Sequence, residues 1–111
     1  MRLPAGYQTK KPSKYRNQKV GGYDSKREYR RAQELRLLAR VGEISDLQEQ
    51  VKFELIPKQE GERAVHYLAD FVYSTRAGQR VVEDTKGHRT PVYNIKRKLM
   101  LQVHGIRILE T

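Results

Sequence analysis

Asp70 lies in the middle of YLADFVY, the most apolar strand-like stretch of the chain, where an unpaired charge is costly. A second acidic group follows at Glu83-Asp84-Thr85-Lys86-Gly87, directly after Val81-Val82. Side chains alternate along a strand, so Asp84 and Lys86 share one face while Glu83 and Thr85 share the other. A hairpin between the two segments would bring Asp70 close to Asp84. Two carboxylates held together repel unless a cation neutralises them. Mg2+ commonly takes one or two carboxylates and fills its other positions with waters and substrate phosphates. A cation so held can activate a water and stabilise charge on a phosphate in transfer. Lys86, on the same face, could orient or deprotonate that water, or offset the developing charge. The competing reading makes Asp84 and Lys86 an ordinary same-face salt bridge and Asp70 a hydrogen-bonded edge residue.

The elements that must position these groups can be read from the spacing. Ser25 is a good N-cap, Ala32, Leu35, Leu38 and Ala39 recur at helical spacing, and Gly42 is a natural terminator, which predicts a helix over 26–41. Val51, Phe53 and Leu55 alternate with Lys52 and Glu54, a strand that ends at Pro57, with Gln50 just before it. A turn over 57–62, a β pattern over 63–74, a loop over 75–79 and a strand over 80–86 follow. Short connections favour an antiparallel meander. Thr90-Pro91 starts a second helix, with Val92, Ile95, Leu99 and Val103 as its expected apolar face and Gly105 as its end. Ile106, Ile108 and Leu109 make a last strand. The expected fold is α/β (α+β), an αβββαβ core with a mixed central sheet flanked by helices.

Charge divides the chain in two. Its 111 residues carry 23 Lys+Arg against 13 Asp+Glu, a formal net charge of +10, which points to a polyanionic partner. Residues 1–31 hold ten of the basic side chains and only Asp24 and Glu28 as acids. Residues 1–22 mix Gly, Pro, Lys, Gln and Tyr without apolar periodicity and read as a flexible basic arm, with a short strand near Lys19–Val20. Residues 23–111 read as one domain. The absence of cysteine excludes disulfides and Cys-ligated metal centres. No apolar run approaches the roughly 20 residues of a membrane span, and MRLPAGYQTKK lacks a secretory h-region, so a cytoplasmic protein is expected. His66, His88 and His104 show no metal-ligand spacing, although His88 follows Lys86-Gly87 closely enough to touch a phosphate.

The order of elements, with a Glu in the first helix, an Asp on one strand and Asp-X-Lys on the next, resembles the PD-(D/E)XK nuclease superfamily. SKREYRRAQELRLLARVGEISDLQEQVKFEL, YLADFVY, and VVEDTKG followed by TPVYNIKRKLML look like a family of small phage and prophage nuclease-like proteins. The likeness runs over roughly residues 14–110, and the superfamily's namesake Pro-Asp is here Ala69-Asp70. The resemblance implies that Asp70 and Asp84 are Mg2+ or Mn2+ ligands, that Lys86 is the catalytic lysine, and that Glu28 assists the metal or water. Glu28 has a second reading, because Ser25-Lys26-Arg27-Glu28 is also a capping box. Glu83 is the rival of Asp84, but only Asp84 stands two before Lys86. Gln50 resembles a recurrent polar residue near related active sites.

These readings give an expected Mg2+- or Mn2+-dependent endonuclease of DNA, with branched DNA, phage replication or recombination and a homodimer implied by analogy alone. Lys14, Arg16, Lys19, Arg27, Arg31, Lys96 and Arg97 are the candidate nucleic-acid contacts. Tyr7, Tyr15 and Tyr23 lie between basic residues of the arm and could stack on bases. The alternative is a non-catalytic basic nucleic-acid-binding accessory protein. A membrane-surface role lacks the amphipathic basic helix it would need.

Overall fold

The computed structural model describes Gly22 and residues 25–111. The expected arm, Gly22 apart, its strand near Lys19–Val20 and the candidate contacts Lys14, Arg16 and Lys19 therefore lie outside the described residues.

Ser25 opens α1 (Lys26–Arg40), and its hydroxyl accepts a hydrogen bond from the Glu28 amide at 3.1 Å. The helix closes through paired bonds, Gly42 N–H to Ala39 C=O at 3.1 Å and Glu43 N–H to Leu38 C=O at 2.8 Å. This C-terminal motif requires a left-handed residue, and Gly42 supplies it with φ 84°. An alanine there would hold Cβ against the next carbonyl, so Gly42→Ala should lower stability by about 1 kcal/mol in chemical denaturation. An unchanged midpoint would show that α1 can end elsewhere.

Three strands, β1 (Ile44–Ile56), β2 (Val65–Thr75) and β3 (Arg80–Asp84), form the expected antiparallel meander. The chain then crosses through α2 (Pro91–His104) and returns as β4 (Leu109–Glu110), parallel to β3, for a sheet order β1-β2-β3-β4. Parallel neighbours need such a crossover. The fold is α+β, two helices on a four-stranded mixed sheet. Thr111 extends the last pairing, donating its amide to Asp84 C=O at 3.0 Å and accepting from the Lys86 amide at 3.2 Å.

Three elements differ from the sequence reading. First, β1 begins at Ile44 rather than Val51, so Gln50 lies inside the strand. Its first half, ISDLQEQ, hides the alternation because positive φ angles at Asp46 and Gln50 interrupt it, with a register shift between Ser45 and Gln48. Second, β3 ends at Asp84, and Thr85–Lys86 belong to the following loop. Third, α2 does not bury the stripe Val92, Ile95, Leu99 and Val103. Its buried residues are Tyr93 and Met100, whereas Val92 and Ile95 are about 60% exposed and only Leu99 of the expected set packs on the core. The helix is seated by larger contacts, a Tyr93 hydroxyl bonded to Glu110 and a His104 ring edge-on to Phe53, and these rotate the smaller residues outward.

The core has two halves. Ala32 and Leu35 of α1 pack with Ile44, Phe71 and Tyr73. Tyr93 and Met100 of α2 pack with Phe53, Leu55, Tyr67, Ala69, Val72, Val82 and Ile108. On β3, Val81 meets the α1 half and Val82 the α2 half, and neighbours on a strand point to opposite faces, so the helices lie on opposite sides of the sheet. Tyr67, Ala69, Phe71 and Tyr73 share one parity, yet the first two face α2 and the last two α1. On β1, Leu47 packs with the α1 half while Val51 and Phe53 join the α2 half. Alternation is therefore reset on both strands where Gln50, at φ 55°, stands across from Asp70.

Candidate active site

The reset places Asp70 at the junction of the two core halves. The pairing of Phe71 with Glu83 puts Asp84 one step along, across from Asp70, as the hairpin argument expected. Both acids line an open cleft of about 610 Å³ with Glu28, Arg27, Lys86 and His88. Asp84 is 4% exposed and its two oxygens are held separately. Tyr67 donates its hydroxyl to Oδ2 at 2.5 Å, and Lys86 Nζ lies 3.2 Å from Oδ1. Burial and the Asp84 carboxylate together push the Tyr67 phenol well above its ordinary value, so it remains a donor. The Lys86 ammonium also sits 4.1 Å from the centroid of the Tyr93 ring, a cation–π seat.

Asp70 accepts a hydrogen bond from the Thr85 amide at 2.8 Å through Oδ2. Gln50 Nε2 lies 3.5 Å from its Oδ1 and donates to Glu28 Oε2 at 3.1 Å. Glu28 is buried on the same stripe of α1 as Ala32 and Leu35. Burial pushes the Asp70 carboxyl up to about 6; the Thr85 amide opposes the rise, Asp84 adds to it, and Lys86 and Gln50 oppose it. A group that keeps its proton longer in the folded chain makes stability fall as pH rises between its unfolded and folded values. The protein without divalent cation should therefore lose stability between about pH 4 and 6. Asp70→Asn should remove that part of the decline, leaving a higher melting temperature at pH 7 in EDTA. Superimposable melting-temperature profiles would show that Asp70 does not titrate there.

Glu83 has a different task. It is fully buried on the α1 side, where Arg31 grips both oxygens, Nε to Oε1 at 2.8 Å and Nη2 to Oε2 at 2.6 Å. Tyr73 and Thr111 hydroxyls donate to it as well. The choice of Asp84 over Glu83 for the cleft follows from strand parity. The same geometry revises Arg31: its guanidinium binds Glu83 and Glu34, and Glu83 holds it well above its ordinary pKa, so it serves the fold rather than a nucleic-acid surface. Arg27 does face the cleft, donating to Lys86 C=O at 3.1 Å. Lys96 is on α2 and is not among the cleft's lining residues, and Arg97 lines a separate pocket beside β4.

The donor set fits a hard cation in part. Asp70 and Asp84 are the pair of carboxylates that Mg2+ or Mn2+ commonly uses, and the raised Asp70 carboxyl marks a negative charge that a cation would relieve. Glu28, expected as a third ligand, reaches Asp70 only through the Gln50 amide. Among the described residues no three His, Asp or Glu side chains converge as a metal-binding group. Sequence reading found the three charged groups of the cleft but missed Tyr67 and Tyr93. Their partners are set by the reset alternation and by the seating of α2, neither of which leaves a local motif.

Fold and site together define an α+β protein with an acidic, lysine-bearing cleft at a kink in its sheet. The chain belongs to the family described as protein of unknown function (DUF1064), whose family model matches residues 12–107. No curated protein and no solved structure matches it. Among the described residues no helix is long and apolar enough to cross a membrane.

Proposed function

We propose that this protein is a Mg2+- or Mn2+-dependent endonuclease that hydrolyses DNA phosphodiester bonds. The reading rests on one observation above all. Two carboxylates from adjacent strands, Asp70 and Asp84, share a cleft with a lysine 3.2 Å from one of them and with Arg27 beside it. Asp70 and Asp84 would hold the cation, which when bound supplies Lewis-acid activation and charge neutralisation at the scissile phosphate. Tyr67 fixes one oxygen of Asp84 and leaves the other toward Lys86. Lys86 donates from Nζ to a phosphate oxygen and offsets the charge that builds there. Gln50 keeps Glu28 and Asp70 apart while tying them together, which orients the Asp70 carboxylate. Arg27 gives a second, planar contact to the backbone phosphate. Phage DNA metabolism in a bacterial cytoplasm is the setting that the resemblance implies, with branched DNA as substrate and a homodimer as the acting form.

The test is nicking of linear duplex, flap and four-way-junction DNA with Mg2+, with Mn2+ and with EDTA. Cleavage in the metal arms alone supports the reading, and no cleavage of any substrate in any arm overturns it. The second reading, a nucleic-acid-binding accessory protein without catalysis, draws on the pairing already present. Tyr67 and Lys86 satisfy Asp84 with no cation needed. It predicts salt-sensitive binding and no Mn2+ heat in calorimetry.

A further inference from the structure

We propose that the pocket between α2 and β4 is a second phosphate site, which holds the polynucleotide backbone after it leaves the carboxylate cleft. This rests on the nucleic-acid reading above and places a contact outside the cleft. The pocket, of about 270 Å³, is lined by Arg89, Arg97, Lys98 and Arg107 around the carboxylate of Glu110. It is smaller than the roughly 300–1,000 Å³ typical of small-molecule sites, a size suited to a piece of a longer ligand.

The charges do not cancel within it. Glu110 is already engaged, accepting from Arg89 Nε at 3.1 Å and Nη2 at 2.7 Å on one oxygen and from the Tyr93 hydroxyl at 2.7 Å on the other. Arg89 and Tyr93 hold its carboxyl below the usual range. Among the described residues no carboxylate forms a salt bridge with Arg97, Lys98 or Arg107. Arg97 Nε is buried without a hydrogen-bond partner, a donor that a phosphate oxygen at the pocket would leave better solvated. Leu101 and Leu109, both over 40% exposed, add apolar surface suited to a sugar or base.

The pocket is continuous with the cleft. His88 lines the cleft and the next residue, Arg89, lines the pocket. Tyr93 is the wall between them, with Lys86 over its ring on one side and Glu110 on its hydroxyl on the other. A strand whose phosphate is held by Arg27 and Lys86 passes over this wall onto the four cations. A free nucleotide or an anionic lipid would satisfy the pocket's charge but not its continuity with the cleft.

The experiment measures fluorescence anisotropy of labelled duplex DNA in EDTA over a series of salt concentrations. Wild type is compared with Arg97→Gln, with the exposed Arg107→Gln and with the double variant. The double variant should bind less tightly, and the slope of log K against log salt should fall by about 1 for each phosphate no longer neutralised. Its Mn2+ titration should match wild type, which shows that the cleft is intact. An unchanged affinity and slope in both single variants and the double variant overturns the pocket while leaving the nuclease reading standing. Wild type that binds no duplex overturns both. Phosphatidylglycerol vesicles form the control arm: weakened vesicle binding with unchanged DNA binding also overturns the proposal.

Discussion

Lys86→Ala should abolish DNA cleavage while leaving Mn2+ binding intact or tighter, whereas Asp84→Asn should lose both. The two side chains touch at 3.2 Å, so a simple mutational loss would not tell them apart. Their chemistry does. Asp84 is the group that would bind a cation, and Lys86 is the charge that competes with that cation for Oδ1. Removing the lysine relieves the competition, so the calorimetric affinity should hold or rise. Removing the carboxylate charge should weaken Mn2+ by more than about 100-fold, since even altering a ligand's hydrogen-bond partners typically costs 10–100-fold. Cleavage should fall at least as far in both variants. Equal nicking by wild type and Lys86→Ala would remove Lys86 from the chemistry. Equal Mn2+ binding by wild type and Asp84→Asn would remove the metal site itself.

Arg31→Ala should be the most destabilising single substitution on α1, by about 3–5 kcal/mol. Glu83 has no exposed surface, and its bidentate partner is a guanidinium on the neighbouring helix. Deleting that partner leaves a buried carboxylate with only the Tyr73 and Thr111 hydroxyls. For a chain of this size the melting temperature should drop by roughly 10–20 °C. Joint replacement, Arg31→Met with Glu83→Leu, should recover much of the stability, because removing both charges leaves neither stranded. A loss below about 1 kcal/mol for Arg31→Ala would mean that water reaches Glu83 and the pair is not a structural anchor.

The helix ends were legible because local chemistry decides them. Ser25, Gly42, Thr90-Pro91 and Gly105 each do in the structure what their type does in any helix. The pairing of Asp70 with Asp84 was legible because a short hairpin fixes its own register. What was not legible depends on contacts between distant segments. The early half of β1 carries Asp46 and Gln50 at positive φ, a conformation that propensity assigns to turns, and β2 stabilises it from across the sheet. The buried face of α2 is chosen by Tyr93 reaching Glu110 and by His104 meeting Phe53. The apolar residues of that helix, taken by spacing alone, point instead to the flank left in solvent. Arg31 reads in the sequence as one more cation of a basic segment, and only the fold brings Glu83 to it.

Thr111 has a bearing on when this protein can act. Its backbone bonds Asp84 and Lys86, and its hydroxyl touches Glu83 and Thr85. The residues that hold the lysine loop in place are thus made after every other part of the cleft. A chain still emerging from the ribosome has Asp70, Asp84 and Lys86 but nothing yet to brace them. The charged cleft is assembled last, so a nascent chain close to polysomal nucleic acid lacks a braced site until synthesis has passed β4.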